Sequence, residues 1–141
     1  MMNISIIGTG YVGLVTGVCF AEMGNIVYCI DNNKTKINDL NKGVVPIYEP
    51  GLEELVIQNV QSGRLLFTTS LNDAVNKTDI FIIAVGTPEN DDGSTNMEFV
   101  YSVANEIGEN LKNDSLIINK STVPVGTAEI VYSIIDKQLN K

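Results

Sequence analysis

The sequence predicts an α/β fold in which a doubly wound parallel sheet carries helices on both faces. Short runs rich in β-branched residues alternate with amphipathic segments, a pattern typical of strands joined by right-handed helical crossovers. The run DIFIIAV at residues 79–85 is apolar after its first residue, as in a strand that is covered on both sides. A glycine-rich turn, GTGYVG, separates the first apolar run from the first amphipathic segment.

The same patterns give the order of the elements. Apolar runs predict five strands, at residues 3–7, 25–31, 65–69, 79–85 and 115–121. Amphipathic segments predict helices at residues 11–23, 33–41, 51–61 and 96–111, and a last helix from residue 126 onward. Gly24, Gly43 and Gly63 are the stop signals of the first three helices. Residues 44–50 hold two prolines and are predicted to form a loop. Ser70 precedes a predicted short helix through Asn76, which its hydroxyl would cap.

Length and composition limit the classes of protein. The 141 residues suit one domain, residues 1–141, and 44% apolar with 18% charged residues is a globular composition. A net charge of −8 argues against nucleic acid and anionic membranes as partners. With no histidine and two cysteines, no metal site is expected. The same cysteine count favours a reduced, cytoplasmic location, and we find no signal peptide or membrane-spanning stretch.

The turn at residues 8–13 has the spacing G-x-G-x-x-G. Gly8 permits a tight turn, Gly10 lets the backbone approach a pyrophosphate at a helix N-terminus, and Gly13 lets the helix pack closely on the sheet. Asp31 closes the next strand about 20 residues later, where a carboxylate can accept hydrogen bonds from an adenosine ribose diol. A carboxylate there repels a 2′-phosphate. The motif therefore predicts a Rossmann-type dinucleotide site that favours NAD over NADP.

Small and hydroxyl-bearing residues follow two further strands. Gly86 and Thr87 come after the fourth strand, and Ser121 and Thr122 come after the fifth. Ligands of doubly wound sheets bind at the carboxyl ends of the strands. Gly86 would allow a close approach of the backbone, and the hydroxyl of Thr87 is available to a ribose or a nicotinamide amide. Three strand ends thus predict one shared binding edge.

The residues leave other interpretations open. The glycine turn can be a βα corner without a ligand, and S-adenosylmethionine-binding folds use a similar turn and acid. A stand-alone NAD-sensing module fits the glycines equally well, although it has no need of Thr122 beside a nicotinamide. Lys36, five residues beyond Asp31, would weaken the preference for NAD if it faced the site, but the sequence favours an exposed helix lysine.

Four segments, GTGYVGLVTGVCFAEMGN, YEPGLEELV, AVGTPENDDGSTN and KSTVPVGT, together resemble the N-terminal domain of the UDP-glucose/GDP-mannose dehydrogenase family. The resemblance covers essentially all 141 residues and leans towards the UDP-glucose branch. It implies oxidation of the C6 hydroxymethyl group of a nucleotide sugar to a carboxylate, with two NAD and one water. It implies pyrophosphate contacts from Gly8, Gly10, Tyr11, Val12 and Gly13, ribose contacts from Asp31 and Lys36, and contacts to the nicotinamide end from Gly86, Thr87 and Thr122. Thr122 would also position the catalytic water.

One departure from the family limits the expected activity. The family's nucleophilic cysteine, which precedes Pro-Lys-Asp, and its catalytic lysine match no residue of this chain. Cys19 and Cys29 lie outside that motif, and we interpret both as small apolar packing residues. Asn96 stands where relatives usually carry Asp. We therefore expect the first domain of a longer protein, inactive by itself towards UDP-glucose, that forms homo-oligomers only with the family's central domain.

Overall fold

A computed structural model describes residues 1–141 and contains five strands and five helices. The strands are β1 (Asn3–Ile7), β2 (Ile26–Ile30), β3 (Leu65–Thr68), β4 (Ile80–Ile83) and β5 (Leu116–Asn119). The helices are α1 (Tyr11–Glu22), α2 (Lys34–Asn41), α3 (Leu52–Gln61), α4 (Glu98–Asn110) and α5 (Thr127–Leu139). The predicted order of elements is confirmed, with differences of one to three residues at most boundaries.

All strands pair in parallel in the order β3-β2-β1-β4-β5. Their carboxyl ends are level, since one row of aligned residues crosses the whole sheet: Thr68, Ile30, Ile7, Ile83 and Asn119. The chain leaves β1 in one direction along the sheet and returns to its other side at β4. This reversal is the switch point at which doubly wound sheets form a ligand crevice.

Two apolar cores cover the two faces of the sheet. Residues of α1, α2 and α3 pack with Ile4 and Ile6 on one face. Residues of α4 and α5 pack with Ile7, Phe81 and Ile83 on the other. Because Ile82 belongs to the first core, β4 contributes side chains to both cores, which confirms the interpretation of its unbroken apolar run. No helix is long and apolar enough to cross a membrane.

The prediction of one short helix up to Asn76, capped by Ser70, is wrong. Residues 71–73 and 75–77 are two separate 3₁₀ turns, and the Ser70 side chain does not cap them. Leu71, Ala74 and Val75 are buried in the second core, so packing determines the path of this short segment. Thr68 Oγ1 accepts a hydrogen bond from the Ser70 N–H and donates to the Asp73 carboxylate instead.

Candidate functional site

The three glycines of the turn have distinct surroundings. Gly8 has φ +102°, and a Cβ there would lie 2.5 Å from Ala84 O. A Cβ on Gly13 would lie 1.9 Å from Gly8 O, so α1 begins in direct contact with the turn. A Cβ on Gly10 would meet nothing within 4 Å. Gly10 is the N-cap of α1, whose first turn carries N–H groups without partners within the helix.

Close packing of α1 on the sheet depends on a glycine outside the motif. A Cβ on Gly17 would lie 2.6 Å from Cys29 Sγ in β2 and 3.4 Å from Ile6 in β1. Gly13 likewise lets the helix approach the sheet, because a Cβ there would lie 1.9 Å from Gly8 O at the end of β1 and 3.4 Å from Ala84 Cβ after β4. The G-x-x-x-G spacing of Gly13 and Gly17 places both on one face of α1, and this periodicity was the signal that could have identified Gly17.

Asp31 follows β2 and is held by residues on both sides of it in the sequence. Its Oδ2 accepts hydrogen bonds from Thr9 N–H at 3.0 Å and from Thr9 Oγ1 at 2.7 Å. Its Oδ1 accepts one hydrogen bond, from Asn33 N–H at 2.9 Å. Asn33 is the N-cap of α2, where its side chain accepts from Lys36 N–H. The acid is thus fixed between the glycine turn and the start of α2.

Lys36 forms an ion pair with Asp31, with Nζ 2.9 Å from Oδ2. The interpretation of Lys36 as an exposed helix lysine is therefore wrong: its side chain is 27% exposed, because it lies along the end of β2 with its ammonium on the Asp31 carboxylate. Burial by itself raises the pKa of Asp31, but hydrogen bonds from Asn33, Lys36 and Thr9 outweigh it and lower that pKa from 3.8 to about 2. Asp31 is an anion throughout the neutral range.

A cleft of about 380 Å³ lies at the switch point. It brings together five of the residues expected to bind the cofactor: Gly8, Gly10, Asp31, Lys36 and Gly86. Four residues of α4 that the sequence analysis did not select line the opposite wall: Phe99, Ser102, Val103 and Glu106. Thr69, at the carboxyl end of β3, also lines the cleft. Its position directly after a strand could have identified it, as the same position did for Thr87. No sequence motif marks the α4 residues, because only packing brings that helix to the cleft.

Tyr11 and Val12 lie beside the cleft rather than in its wall. Both are exposed in the first turn of α1. The Tyr11 hydroxyl donates a short hydrogen bond to the Glu49 carboxylate, which raises the pKa of Tyr11. Glu49 belongs to the proline-containing loop before α3, so this bond joins that loop to the helix N-terminus.

Thr87 and Thr122 lie at the neighbouring rim, and the structure brings them together. The Thr87 hydroxyl donates to Thr122 O at 2.9 Å, and the Ser121 hydroxyl donates to Val85 O at 2.7 Å. The ends of β4 and β5 are therefore tied by side-chain hydrogen bonds. With its proton engaged, Thr87 Oγ1 offers lone pairs to a ligand, and the side chain of Thr122 is exposed, but neither residue lines the cleft.

Other predicted features of the site have mixed outcomes. Asn96 Oδ1 accepts from Glu98 N–H at 2.9 Å, a local bond just before α4, whose N-cap is Met97. Cys29 is fully buried, and burial raises its pKa to about 12. Cys19, in contrast, is exposed, so its interpretation as a packing residue is wrong: it lies on the outer face of α1. No cluster of three or more metal-binding side chains is present.

The sheet order, the glycine turn at the switch point and the acid at the end of β2 define a Rossmann-type dinucleotide-binding domain. The model of the UDP-glucose/GDP-mannose dehydrogenase family, NAD binding domain, matches residues 2–141. This chain belongs to that family and constitutes its NAD-binding domain.

Relatives of known sequence agree with this assignment. The UDP-glucose 6-dehydrogenase TuaD of Bacillus subtilis is 52% identical over 97% of this chain, which corresponds to 30% of the relative. The UDP-glucose 6-dehydrogenase of Rhizobium meliloti is 52% identical over 95% of this chain and 31% of its own length. The chain thus spans about a third of the length of these relatives.

Solved structures show the same fold. A ternary complex of GDP-mannose dehydrogenase from Pseudomonas aeruginosa superposes with a TM-score of 0.94 at 38% identity, over 99% of this chain and 33% of that one. A UDP-glucose dehydrogenase from Pyrobaculum islandicum gives a TM-score of 0.92 at 40% identity, over 98% and 33% of the two chains.

Proposed function

We propose that the cleft at the switch point holds NAD with its pyrophosphate against Gly10 and the N-terminus of α1. The observation that carries this proposal is the open space at Gly10, in contrast to the crowded surroundings of Gly8 and Gly13. Of the three glycines of the motif, Gly10 is the one at which the absence of a Cβ leaves room for a ligand. Free N–H groups and the helix dipole supply the donors that an anionic group needs there.

Asp31 supports the adenosine end of the proposed complex. Its Oδ2 already accepts from three donor atoms, whereas Oδ1 accepts from one. A carboxylate oxygen has two lone pairs, so Oδ1 is the oxygen that can accept from a ribose hydroxyl. Lys36 forms an ion pair with the same carboxylate and is a second candidate for contact with the ribose.

The rim at β4 and β5 is proposed to meet the nicotinamide end. Gly86 is exposed and has open space where a Cβ would stand, and Thr87 and Thr122 lie next to it. NAD supplies the hydride acceptor. Thr122 is proposed to position the water that the second oxidation consumes, while the nucleophilic cysteine and the lysine lie outside this chain.

We further propose UDP-glucose as the substrate of the whole protein, oxidised at C6 to UDP-glucuronate. The similarity to UDP-glucose 6-dehydrogenases at 52% identity supports this choice. GDP-mannose is the alternative, favoured by the superposition on GDP-mannose dehydrogenase. The remaining two thirds of the relatives' length would supply sugar recognition and the subunit interface.

NADH formation tests this proposal. The longer protein that contains this chain is expected to reduce NAD with UDP-glucose and to react far more slowly with GDP-mannose. The 141-residue chain by itself is expected to bind NAD and to form no NADH with either sugar nucleotide. Equal or faster turnover of GDP-mannose would reverse the choice of substrate, and turnover by this chain alone would contradict the division of the chemistry.

A further inference from the structure

Thr9 lies between the first two glycines of the turn and is only 1% exposed. It does not line the cleft, so its side chain is not positioned to touch a ligand there. A buried hydroxyl needs a hydrogen-bond partner, because leaving it unpaired costs free energy. The partner of Thr9 shows what the residue does.

Both donors of Thr9 converge on a single atom of another element. The N–H is 3.0 Å and Oγ1 is 2.7 Å from Asp31 Oδ2. This pair of bonds ties the β1–α1 turn, which faces the proposed pyrophosphate position, to the acid at the end of β2. Charge-assisted bonds of this kind are stronger than those between neutral groups.

The two bonds also determine which oxygen of Asp31 remains available. Lys36 Nζ is the third donor to Oδ2, at 2.9 Å, so Oδ2 has no free lone pair. Oδ1 accepts only from Asn33 N–H. If the Thr9 hydroxyl were absent, the carboxylate could rotate about its last side-chain torsion, which has a broad energy minimum.

We propose that Thr9 is a positioning residue for the cofactor: it fixes the Asp31 carboxylate so that Oδ1 is presented to the ribose diol. The inference rests on the proposed role of Asp31 in ribose binding. Thr9 thereby couples the geometry of the glycine turn to that of the ribose site.

Three substitutions, combined with Asp31→Asn, test this role by calorimetric titration of the chain with NAD. Thr9→Val keeps the shape and the N–H donor and removes the hydroxyl donor, and we expect it to raise the Kd for NAD about tenfold. Thr9→Ser retains the hydroxyl and is expected to stay within about twofold of the wild type. In the Asp31→Asn background, Thr9→Val should cause no further loss. Thr9→Ala replaces Thr9→Val if the valine variant does not fold.

A second measurement separates positioning from general structural damage. The side-chain carboxyl of Asp31 is titrated by NMR, and its pKa should rise in Thr9→Val and return in Thr9→Ser. Lys36 is the charged group in contact with this carboxylate, and Glu106 of α4 lines the same cleft, so both are kept unchanged.

The possible failures are distinguishable. If Asp31→Asn leaves NAD affinity unchanged, the ribose assignment is overturned and this inference with it. If Asp31→Asn weakens binding but Thr9→Val does not, the role of Thr9 alone is overturned. The same conclusion follows if Thr9→Val weakens binding equally in the wild-type and Asp31→Asn backgrounds.

Discussion

At the scale of single residues, the glycines of the turn have different physical roles. Gly8 and Gly13 are required by the fold, since a Cβ at either position would collide with backbone atoms. Gly10 is not required by the packing, because a Cβ there meets no protein atom, and we propose that its role is to admit the ligand. Substitutions at Gly10 and Gly13 should therefore separate ligand binding from stability.

Gly10→Ala is expected to fold with the wild-type midpoint and to bind NAD at least about tenfold more weakly, because the new methyl group occupies the space proposed for the pyrophosphate. Thermal unfolding and calorimetric titration are measured on the same preparation. Gly13→Ala is the matched control: its Cβ would lie 1.9 Å from Gly8 O, and we expect a loss of about 3 kcal/mol in unfolding free energy. Wild-type NAD affinity in Gly10→Ala would contradict the placement of the pyrophosphate.

The ionisation of Asp31 predicts how stability changes in acid. Its pKa is lowered from 3.8 to about 2 in the folded chain, so the carboxylate stabilises the fold above its ordinary pKa and loses this effect as the pH falls through about 2. The difference in unfolding free energy between the wild type and Asp31→Asn should be constant near neutrality and shrink between about pH 4 and about pH 2. Chemical denaturation across this range measures it. A difference independent of pH would contradict the hydrogen-bonded anion.

At the scale of elements, the junction of β2 and α2 carries both Asp31, the acid proposed to select the cofactor, and Lys36, which forms an ion pair with it. In Asp31→Asn the ammonium of Lys36 loses its counter-ion and becomes available to a 2′-phosphate. We expect this variant to lose about tenfold or more of its preference for NAD over NADP. Paired titrations with the two cofactors measure the ratio.

The double variant Asp31→Asn, Lys36→Gln is the control for this prediction. It should not gain NADP affinity relative to the wild type, because the cation is absent. If Asp31→Asn alone gains no NADP affinity, Lys36 is not the group that would meet the phosphate.

The contact between α4 and α5 offers a prediction away from the site. A Cβ on Gly108 would lie 2.8 Å from Gln138 Cβ and 3.0 Å from Ile135 Cα. Gly108→Ala is expected to lower the unfolding free energy by about 1–2 kcal/mol, since the crowding exceeds the gain in helix propensity. Denaturant unfolding measures the loss. A stabilised Gly108→Ala would show that the two helices can move apart.

The elements also show how far the sequence was sufficient. The alternation of apolar runs and amphipathic segments predicted all five strands and five helices, because hydrophobic periodicity is a local signal. The form of residues 71–77 was not predictable from such signals, because core packing of Leu71, Ala74 and Val75 determines it. In the site, the motif located Gly10 and Asp31, but the salt bridge of Lys36 and the wall from α4 depend on contacts between distant segments.

At the scale of the whole molecule, the net charge of −8 does not favour an anionic cofactor. Lys36 is the one cation that lines the cleft, and its charge is paired with Asp31. We therefore propose that backbone N–H groups and the dipole of α1 hold the pyrophosphate. Such an arrangement would allow a strongly acidic chain to bind a dinucleotide through local donors, and it is the setting in which we propose that the Asp31 carboxylate favours NAD over NADP.

Calorimetric titration of the wild-type chain with NAD and with NADP, in the same buffer, tests the central claim most directly. We predict one NAD per chain and binding of NADP that is at least about tenfold weaker, because the 2′-phosphate would approach the Asp31 anion. Equal or tighter binding of NADP, or no heat of binding with either dinucleotide, would contradict the proposal that the turn at Gly10 and the carboxylate of Asp31 form an NAD site.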